Sequence, residues 1–381
     1  MLKRFSVEGF KNFEKKVSID FSDVRDYKFH PECVTNGLLN TAIIYGKNAV
    51  GKSNFGLALF DIVSHLTMNN VTPGLYDYYL NVNNKNGYAE FEYVFQFGED
   101  EILYKYRKKS NQAIYSEYLE LNSKPLFRSN DDMNGMLGTS MISEDFFNYG
   151  VPSTSDSRPM INLGQYRGES LLKYILYNTA INEKLPLKQM NEFINNMLWF
   201  RSLDENRFIG YKEKSRDYLT FIFEKKEYIE EFNDLLKQSG VGGSVLAKTD
   251  ADGETRLYFD TNTSWLMPFM KVASSGTKAL YTFYYWYKTA PNVSFMYMDE
   301  FDAFYHYELA ETIVMMLEKM SGFQKILTSH NTNLLSNRIM RPDCYFILTS
   351  NKLTTFVNAT ERELREGHNL EKLYMSGEFN G

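Results

Sequence analysis

The sequence predicts an α/β fold whose mixed sheet contains buried parallel strands, and three short apolar runs support this prediction. The first run, Thr41-Ala-Ile-Ile-Tyr45, precedes a glycine-containing loop and an amphipathic segment from Asn54 to about Leu66. The second, Ser294-Phe-Met-Tyr-Met-Asp299-Glu300, ends in two acids, and the third, Lys325-Ile-Leu-Thr-Ser-His330, ends on polar side chains. Such runs are typical of buried parallel strands, whose carboxyl ends carry the ligand sites of open α/β sheets.

The first run leads into Gly46-Lys-Asn-Ala-Val-Gly51-Lys52-Ser53, which has the strand, loop and helix order of a phosphate-binding loop. Glycines let the backbone curl so that its N–H groups face an anion, and the following helix adds its positive dipole end. Lys52 is predicted to reach the β- and γ-phosphates of ATP, and the Ser53 hydroxyl to hold Mg²⁺. The predicted nucleotide-binding residues of this loop are Gly46, Asn48, Gly51, Lys52, Ser53 and Asn54. The alternative is a glycine-containing turn that matches by chance.

The two acids that end the second run are typical of a Walker B motif. Asp299 is predicted to hold the Mg²⁺ shell, and Glu300 to orient and activate the attacking water. At its spacing after these acids, His330 is predicted to sense the γ-phosphate. A lone histidine at this place is otherwise a satisfied core or loop residue.

A second anion site is predicted at Ser274-Ser275-Gly276, where small residues open a helix from Ala279 to Lys288. Two phosphate sites in one chain suggest that this one acts in trans, on nucleotide held by another subunit. The alternative is a serine-rich helix N-cap without a ligand.

The order of Walker A, Ser-Ser-Gly signature, Asp-Glu and histidine resembles the ABC-type ATPases. Within them it is most similar to the branch of RecF, the chromosome-maintenance ATPases and the OLD-family nucleases. The resemblance implies an ATPase head with a mixed sheet and an antiparallel β-subdomain. It also implies a homodimer or higher oligomer in which two heads sandwich ATP, with Ser274 and Gly276 contacting the partner's nucleotide.

Three further stretches resemble the RloA and AbiL type of bacterial abortive-infection ATPase. They are Asp299-Glu-Phe-Asp-Ala-Phe-Tyr-His306, Thr328-Ser-His-Asn-Thr-Asn-Leu-Leu335 and Asn369-Leu-Glu-Lys-Leu-Tyr-Met-Ser-Gly-Glu-Phe379. Tyr305 stands where that pattern usually has Leu. The resemblance covers residues 1–66 and 270–381. Both Gln112 and Gln165 remain candidates for the Q-loop residue of such ATPases.

Three regions are expected along the chain. Residues 1–125 are predicted to form an N-terminal ATPase lobe with Walker A and a β-hairpin subdomain, and residues 126–262 an inserted, mainly helical subdomain. Residues 263–381 are predicted to form a C-terminal ATPase lobe with signature, Walker B and switch histidine. The 51 residues after His330 are too few for a nuclease domain of the OLD type, so we expect any effector to be a separate protein.

Composition gives no sign of a membrane or secreted protein. The formal net charge is −6, which argues against a general nucleic-acid footprint, although a local basic patch such as Arg107-Lys-Lys109 remains possible. The N-terminus lacks a signal-peptide run, no apolar segment approaches bilayer length, and only Cys33 and Cys344 are present. We therefore expect a cytoplasmic protein with free thiols.

Two functions compete at this stage. The first is an ATP-driven sensor or switch in antiphage defence, which controls a separately encoded nuclease or toxin. The second is a RecF-like clamp that binds DNA when ATP closes the dimer, with a steep salt dependence. A metabolic kinase is a third possibility, but it would leave the signature and switch histidine without a role.

Overall fold

The computed structural model describes residues 1–131, 137–142, 170–178, 186–202, 207–211, 217–260, 265–290, 292–320, 322–350 and 352–379. The strands are β1 (Leu2–Glu8), β2 (Val17–Asp20), β3 (Val34–Thr35), β4 (Leu38–Leu39), β5 (Thr41–Tyr45), β6 (Asn70–Val71), β7 (Ala89–Phe97), β8 (Asp100–Lys108), β9 (Ile114–Leu121), β10 (Lys124–Asp131), β11 (Leu137–Ile142), β12 (Met197–Arg201), β13 (Phe208–Gly210), β14 (Ser244–Thr249), β15 (Thr255–Asp260), β16 (Met267–Pro268), β17 (Phe295–Asp299), β18 (Gln324–Thr328), β19 (Tyr345–Leu348) and β20 (Leu353–Thr355). The α-helices are α1 (Lys52–Leu59), α2 (Asp61–Leu66), α3 (Leu171–Asn178), α4 (Pro186–Asn195), α5 (Lys226–Gln238), α6 (Phe269–Val272), α7 (Ser275–Thr289), α8 (Tyr307–Lys319) and α9 (Leu370–Met375).

The core sheet has the strand order β20-β19-β5-β18-β17-β12-β13-β6. The five strands from β19 to β12 run parallel, and antiparallel strands flank them on both sides. Strands β5, β17 and β18 are buried along their whole length, as expected of parallel strands covered on both faces.

A second, antiparallel sheet has the order β11-β10-β9-β8-β7-β1-β2. Its β7 alternates buried and partly exposed residues over the first half of the strand, the period of a sheet with one covered face. These two sheets and the helices between them confirm the predicted α/β class and a P-loop head with an antiparallel sheet beside the core.

Helix α1 lies directly against the core sheet because Gly56 has no side chain. A Cβ at Gly56 would come within 2.6 Å of the Tyr297 ring and 2.9 Å of Trp199 Nε1. The Tyr297 hydroxyl in turn donates to the Lys52 carbonyl at 2.8 Å. This close packing fixes the start of α1, and with it the phosphate loop, relative to β17.

A buried polar cluster joins α2 to the antiparallel sheet. The Lys108 ammonium contacts Asp61 Oδ1 at 2.9 Å, and both side chains are almost fully buried. Hydroxyls of Tyr79 and Tyr106 also donate to the Asp61 carboxylate, at 2.8 and 2.9 Å. Burial lowers the pKa of Lys108, although Asp61 opposes this effect.

We expect Lys108→Met to lower the free energy of unfolding by about 3–5 kcal/mol, because it leaves the Asp61 carboxylate buried without its counter-ion. Urea unfolding at neutral pH measures the change. The matched control is Lys105→Met, since Lys105 pairs with Glu90 at the surface and such pairs contribute about 0–1 kcal/mol. Equal losses in the two variants would contradict the argument from burial.

Several local predictions were wrong in the middle of the chain. The apolar residues from Ser170 to about Asn206 recur at helical spacing and predict helix, but residues 197–201 form β12, next to β17 in the core sheet. A short apolar run such as Met197-Leu-Trp-Phe fits a buried strand and a buried helix equally well, so only its pairing decides. The sequence also predicts a strand at residues 218–223, but this stretch contains a turn and a 3-10 helix instead. Residues 126–262 include strands as well as helices, and the region boundaries stay predictions.

Candidate functional site

The parallel strands bring the predicted site residues to one edge of the core sheet. In register, Ile44 of β5 pairs with Thr328 of β18, and Arg201 of β12 pairs with Asp299 of β17. The phosphate loop follows β5 at this same carboxyl edge, where ligands of parallel sheets bind. Walker A and Walker B therefore share one site. They meet where Tyr297 contacts Lys52, two residues that are 245 positions apart in the sequence.

The phosphate loop has the backbone that its glycines predict. Gly51 has a φ of 106°, in the left-handed region, and a Cβ there would lie 2.3 Å from Asn12 Nδ2. Asn12 donates to the Val50 carbonyl at 2.9 Å and accepts from Asn54 Nδ2 at 2.7 Å. Asn48 lies exposed on the loop. Asn12, which lies in the turn after β1, thus holds the phosphate loop in place through these two hydrogen bonds.

Lys52 points back into the loop. Its ammonium donates to the Gly46 carbonyl at 2.9 Å and lies 2.7 Å from His330 Nε2. Burial lowers the pKa of Lys52, and the carboxylates of Asp299 and Glu300 oppose this shift. Burial, followed by the charge on Lys52, also lowers the pKa of His330. A neutral imidazole can accept the Lys52 hydrogen bond, so Lys52 and His330 meet at the place predicted for the γ-phosphate.

Asp299 has a carboxylate oxygen that accepts no hydrogen bond from the described residues and is suited to bind a divalent cation. Its Oδ1 accepts from the Thr328 hydroxyl at 2.9 Å, while its Oδ2 is buried and has no hydrogen-bond partner within the described residues. Burial raises the pKa of this carboxyl, and the nearby Ser53 and Thr328 hydroxyls oppose that effect. One carboxylate and one hydroxyl, completed by phosphate and water oxygens, are the ligands that Mg²⁺ takes in nucleotide sites. Ser53 and Asp299 therefore fit the predicted cation.

Glu300 has an unusual backbone and a cationic partner. Its φ is 50°, in the left-handed region that is uncommon for residues other than glycine and is enriched at functional sites. Its N–H donates to the Thr328 hydroxyl at 2.7 Å. The Arg201 guanidinium donates to Glu300 Oε2 at 2.8 Å, and its Nε lies 3.6 Å from Asp299 Oδ2.

Asp302 holds the segment before His330. The Ser329 hydroxyl donates to Asp302 Oδ2 at 2.5 Å and accepts from the Asn331 N–H at 2.8 Å. Burial raises the pKa of Asp302 to about 6, and the hydrogen bond from Ser329 opposes that shift. The position of His330 therefore depends on a chain of contacts that starts at a buried carboxyl.

We expect Asp302→Asn to raise the free energy of unfolding by about 1–3 kcal/mol at pH 8 and by much less at pH 4. The folded-state pKa of about 6 lies above the ordinary value of 3.8 for this carboxyl, so the folded chain binds more protons between these two pH values. Stability then falls as pH rises through this window, and at pH 8 the wild type retains a buried charge that the amide lacks. Urea unfolding at both pH values measures the effect. Asp26→Asn, at an 89% exposed side chain, is the control. A gain that is equal at both pH values would contradict this assignment.

The predicted second anion site lies at the N-terminus of α7. Ser274 is the N-cap, and its side chain accepts from the Thr277 N–H at 3.2 Å, as in an ordinary capped helix. Ser275 is exposed, and a Cβ at Gly276 would lie 3.0 Å from the Phe304 carbonyl oxygen. The signature therefore packs on the segment that follows Walker B. Its hydrogen bonds, among the described residues, stay within its own helix, and its role in trans stays a prediction.

Several site residues were missed by the sequence analysis. These residues are Asn12, which contacts Asn54, and Thr328 and Arg201, which both contact Glu300. In each contact the two residues are far apart in the sequence and are brought together only by the fold. The sequence offered one indication of such a role: Arg201 and Thr328 each end a short apolar run, as Asp299 does. Gln112 lines a cleft with Thr72, Gly74 and Tyr78, and Gln165 lies outside the described residues, so the Q-loop residue stays unassigned.

In the described part of the chain, no helix is long and apolar enough to cross a membrane.

Comparison with known proteins identifies the family. Residues 42–336 match the family described as "AAA domain, putative AbiEii toxin, Type IV TA system". This match spans most of the chain, and the chain therefore belongs to that family of P-loop ATPases. No curated protein sequence matches it.

Solved structures similar to this chain include chromosome-maintenance heads. An SMC head domain from Thermotoga maritima is 15% identical, with a TM-score of 0.41, over 93% of this chain and 97% of that one. An Smc head domain bound to the C-terminal domain of ScpA, from Pyrococcus furiosus, is 14% identical, with a TM-score of 0.42, over 93% and 95% of the two chains.

Proposed function

We propose that this member of the AAA domain family binds and hydrolyses ATP, and that it is the sensor or switch subunit of an antiphage, abortive-infection system. In this proposal it controls a separately encoded effector, a nuclease or toxin. The observation that carries the ATPase part is the convergence of Lys52, Asp299, Glu300 and His330 at one sheet edge. The family description, which names a toxin and a toxin–antitoxin system, supports the defence part.

Each side chain of the site has a proposed role. Lys52 binds the β- and γ-phosphates once they replace the Gly46 carbonyl as its acceptor. When bound with ATP, Mg²⁺ supplies positive charge to the phosphates, and Ser53 and Asp299 are the residues that hold it. Glu300 accepts a proton from the attacking water, and His330 donates to or orients the γ-phosphate.

Assembly is part of the proposal. Ser274 and Gly276 contact the nucleotide of a second head, so that a homodimer or a higher oligomer encloses ATP. Hydrolysis is then slow, because each site is complete only in the closed assembly. The effector is held or released according to that nucleotide state.

Affinity purification of tagged Glu300→Gln from its native host in Mg-ATP tests the switch. We expect a stoichiometric second protein that arrests growth when expressed alone and is restrained by the wild-type chain. The matched control is Lys52→Ala, which should not retain that protein in an ATP-dependent way. Nucleic acid without a protein partner would favour the RecF-like clamp. Growth arrest by this chain expressed without any partner would contradict the proposal.

A further inference from the structure

Arg201 lies at the carboxyl edge of the core sheet, and the proposed function gives it no role. It ends β12, and the parallel register places it directly beside Asp299 on β17. Its side chain is 31% exposed, and its guanidinium reaches the Glu300 carboxylate.

The guanidinium contacts both Walker B carboxylates. Its Nη2 donates to Glu300 Oε2 at 2.8 Å, its Nε lies 3.3 Å from the same oxygen, and its Nε lies 3.6 Å from Asp299 Oδ2. Asp299 Oδ2 is the buried oxygen that accepts no hydrogen bond from the described residues. The Arg201 guanidinium therefore lies at ion-pair distance from this oxygen.

Asp299 and Glu300 are consecutive acidic residues at the end of β17, and two such carboxylates need a counter-ion. Asp299 is 0% exposed, and an isolated buried carboxylate is strongly unfavourable. A divalent cation at Asp299 would supply that charge, but it would also place positive charge within a few ångströms of the guanidinium. Like charges at such distances repel strongly in a partly buried site. Guanidinium and divalent cation therefore cannot both stay close to Asp299 Oδ2.

We propose that Arg201 is a built-in counter-ion that occupies the divalent-cation position of the Walker B acids in the nucleotide-free chain and competes with the metal for them. With a metal–nucleotide bound, Asp299 would hold the metal, and the guanidinium would have phosphate oxygens as acceptors in place of Glu300. Glu300 is then released from its ion pair to act on water. Arg201 is thus a positioning residue that keeps the acids paired until nucleotide arrives. This inference rests on the proposed nucleotide site.

The test is a titration of the nucleotide-free chain with Mn²⁺, in which electron paramagnetic resonance measures the concentration of the free ion. We expect Arg201→Gln to bind Mn²⁺ at least ~10-fold more tightly than the wild type, because the competing charge is gone. Arg201→Lys keeps the charge and is expected to bind as weakly as the wild type. Adding Asp299→Asn to Arg201→Gln should abolish the gain, which assigns the ion to this carboxylate.

Controls separate charge from folding. Arg338→Gln removes the same charge from a 73% exposed side chain that pairs with Glu311, and it should leave Mn²⁺ affinity unchanged. Circular dichroism and urea unfolding establish that each variant is folded. If Arg201→Gln does not fold, Arg201→Met, which keeps the apolar stem, serves as the neutral variant.

Two outcomes would overturn the inference. One is that the neutral variants take up no more Mn²⁺ than the wild type, and the other is that Arg201→Lys gains as much as Arg201→Gln. Because no nucleotide is present, these results do not depend on hydrolysis. Binding of a fluorescent ATP analogue by the wild type tests the proposed function separately, so failure of one is distinguishable from failure of the other.

Discussion

Glu300→Gln is expected to lower ATP hydrolysis by about 10²–10⁴-fold while ATP remains bound. The amide cannot take a proton from water, yet it is nearly the same size as the carboxylate and keeps the backbone N–H bond to Thr328. The change also removes the anionic partner of Arg201 without altering Lys52 or Ser53, which are proposed to hold the nucleotide. Steady-state phosphate release measures the rate, and nucleotide extracted after gel filtration identifies what stays bound.

The outcome of that experiment assigns the general base. ATP, rather than ADP, should remain on the variant, and the assembly that encloses it should be longer lived than in the wild type. Glu311→Gln is a suitable control, because Glu311 lies on α8 and pairs with the exposed side chain of Arg338. Hydrolysis by Glu300→Gln at the wild-type rate would show that another group activates the water.

Lys52→Ala is expected to weaken ATP binding by about 100-fold or more. The Lys52 ammonium group points back into the phosphate loop, where it donates a hydrogen bond to the Gly46 carbonyl at 2.9 Å. Each hydrogen bond from a charged donor contributes about 1.5–3 kcal/mol, and Lys52 is positioned to make more than one to the phosphates. Equilibrium binding of a fluorescent ATP analogue measures the loss.

The matched control for this variant is Lys28→Ala. Lys28 carries the same charge on an 83% exposed side chain and pairs with Asp26 outside the site. Its removal should leave nucleotide affinity unchanged. If Lys52→Ala binds the analogue as the wild type does, the phosphates do not lie in this loop.

The sequence predicts those parts of the fold that depend on local patterns. The phosphate loop, the hairpin of β7 and β8 and the strands β17 and β18 all follow from glycine spacing or from period-two and apolar runs. The helix after the phosphate loop is also present, although it breaks into α1 and α2 at Phe60. In each case the residues that determine the element are its own or its immediate neighbours.

The rest depends on contacts between distant segments. Strand β12 was misassigned because its apolar run has no signal of its own, and its pairing with β17 spans about a quarter of the chain. Arg201 enters the site only through that pairing. Asn12 was not predicted as a site residue, since its contact with the phosphate loop joins residues 38 positions apart. Cys33 and Cys344, distant in sequence, also lie together: burial raises the pKa of the Cys344 thiol, and the neighbouring Cys33 raises it further.

Phosphate release by the purified wild-type chain in Mg-ATP tests the central claim most directly. The account predicts slow release that continues beyond one phosphate per chain, stops when EDTA removes the metal, and is lost in both Lys52→Ala and Glu300→Gln. Phosphate release that is unchanged in both variants would come from another protein or another site. No release together with no binding of ATP would contradict the assignment of this sheet edge as an ATPase site.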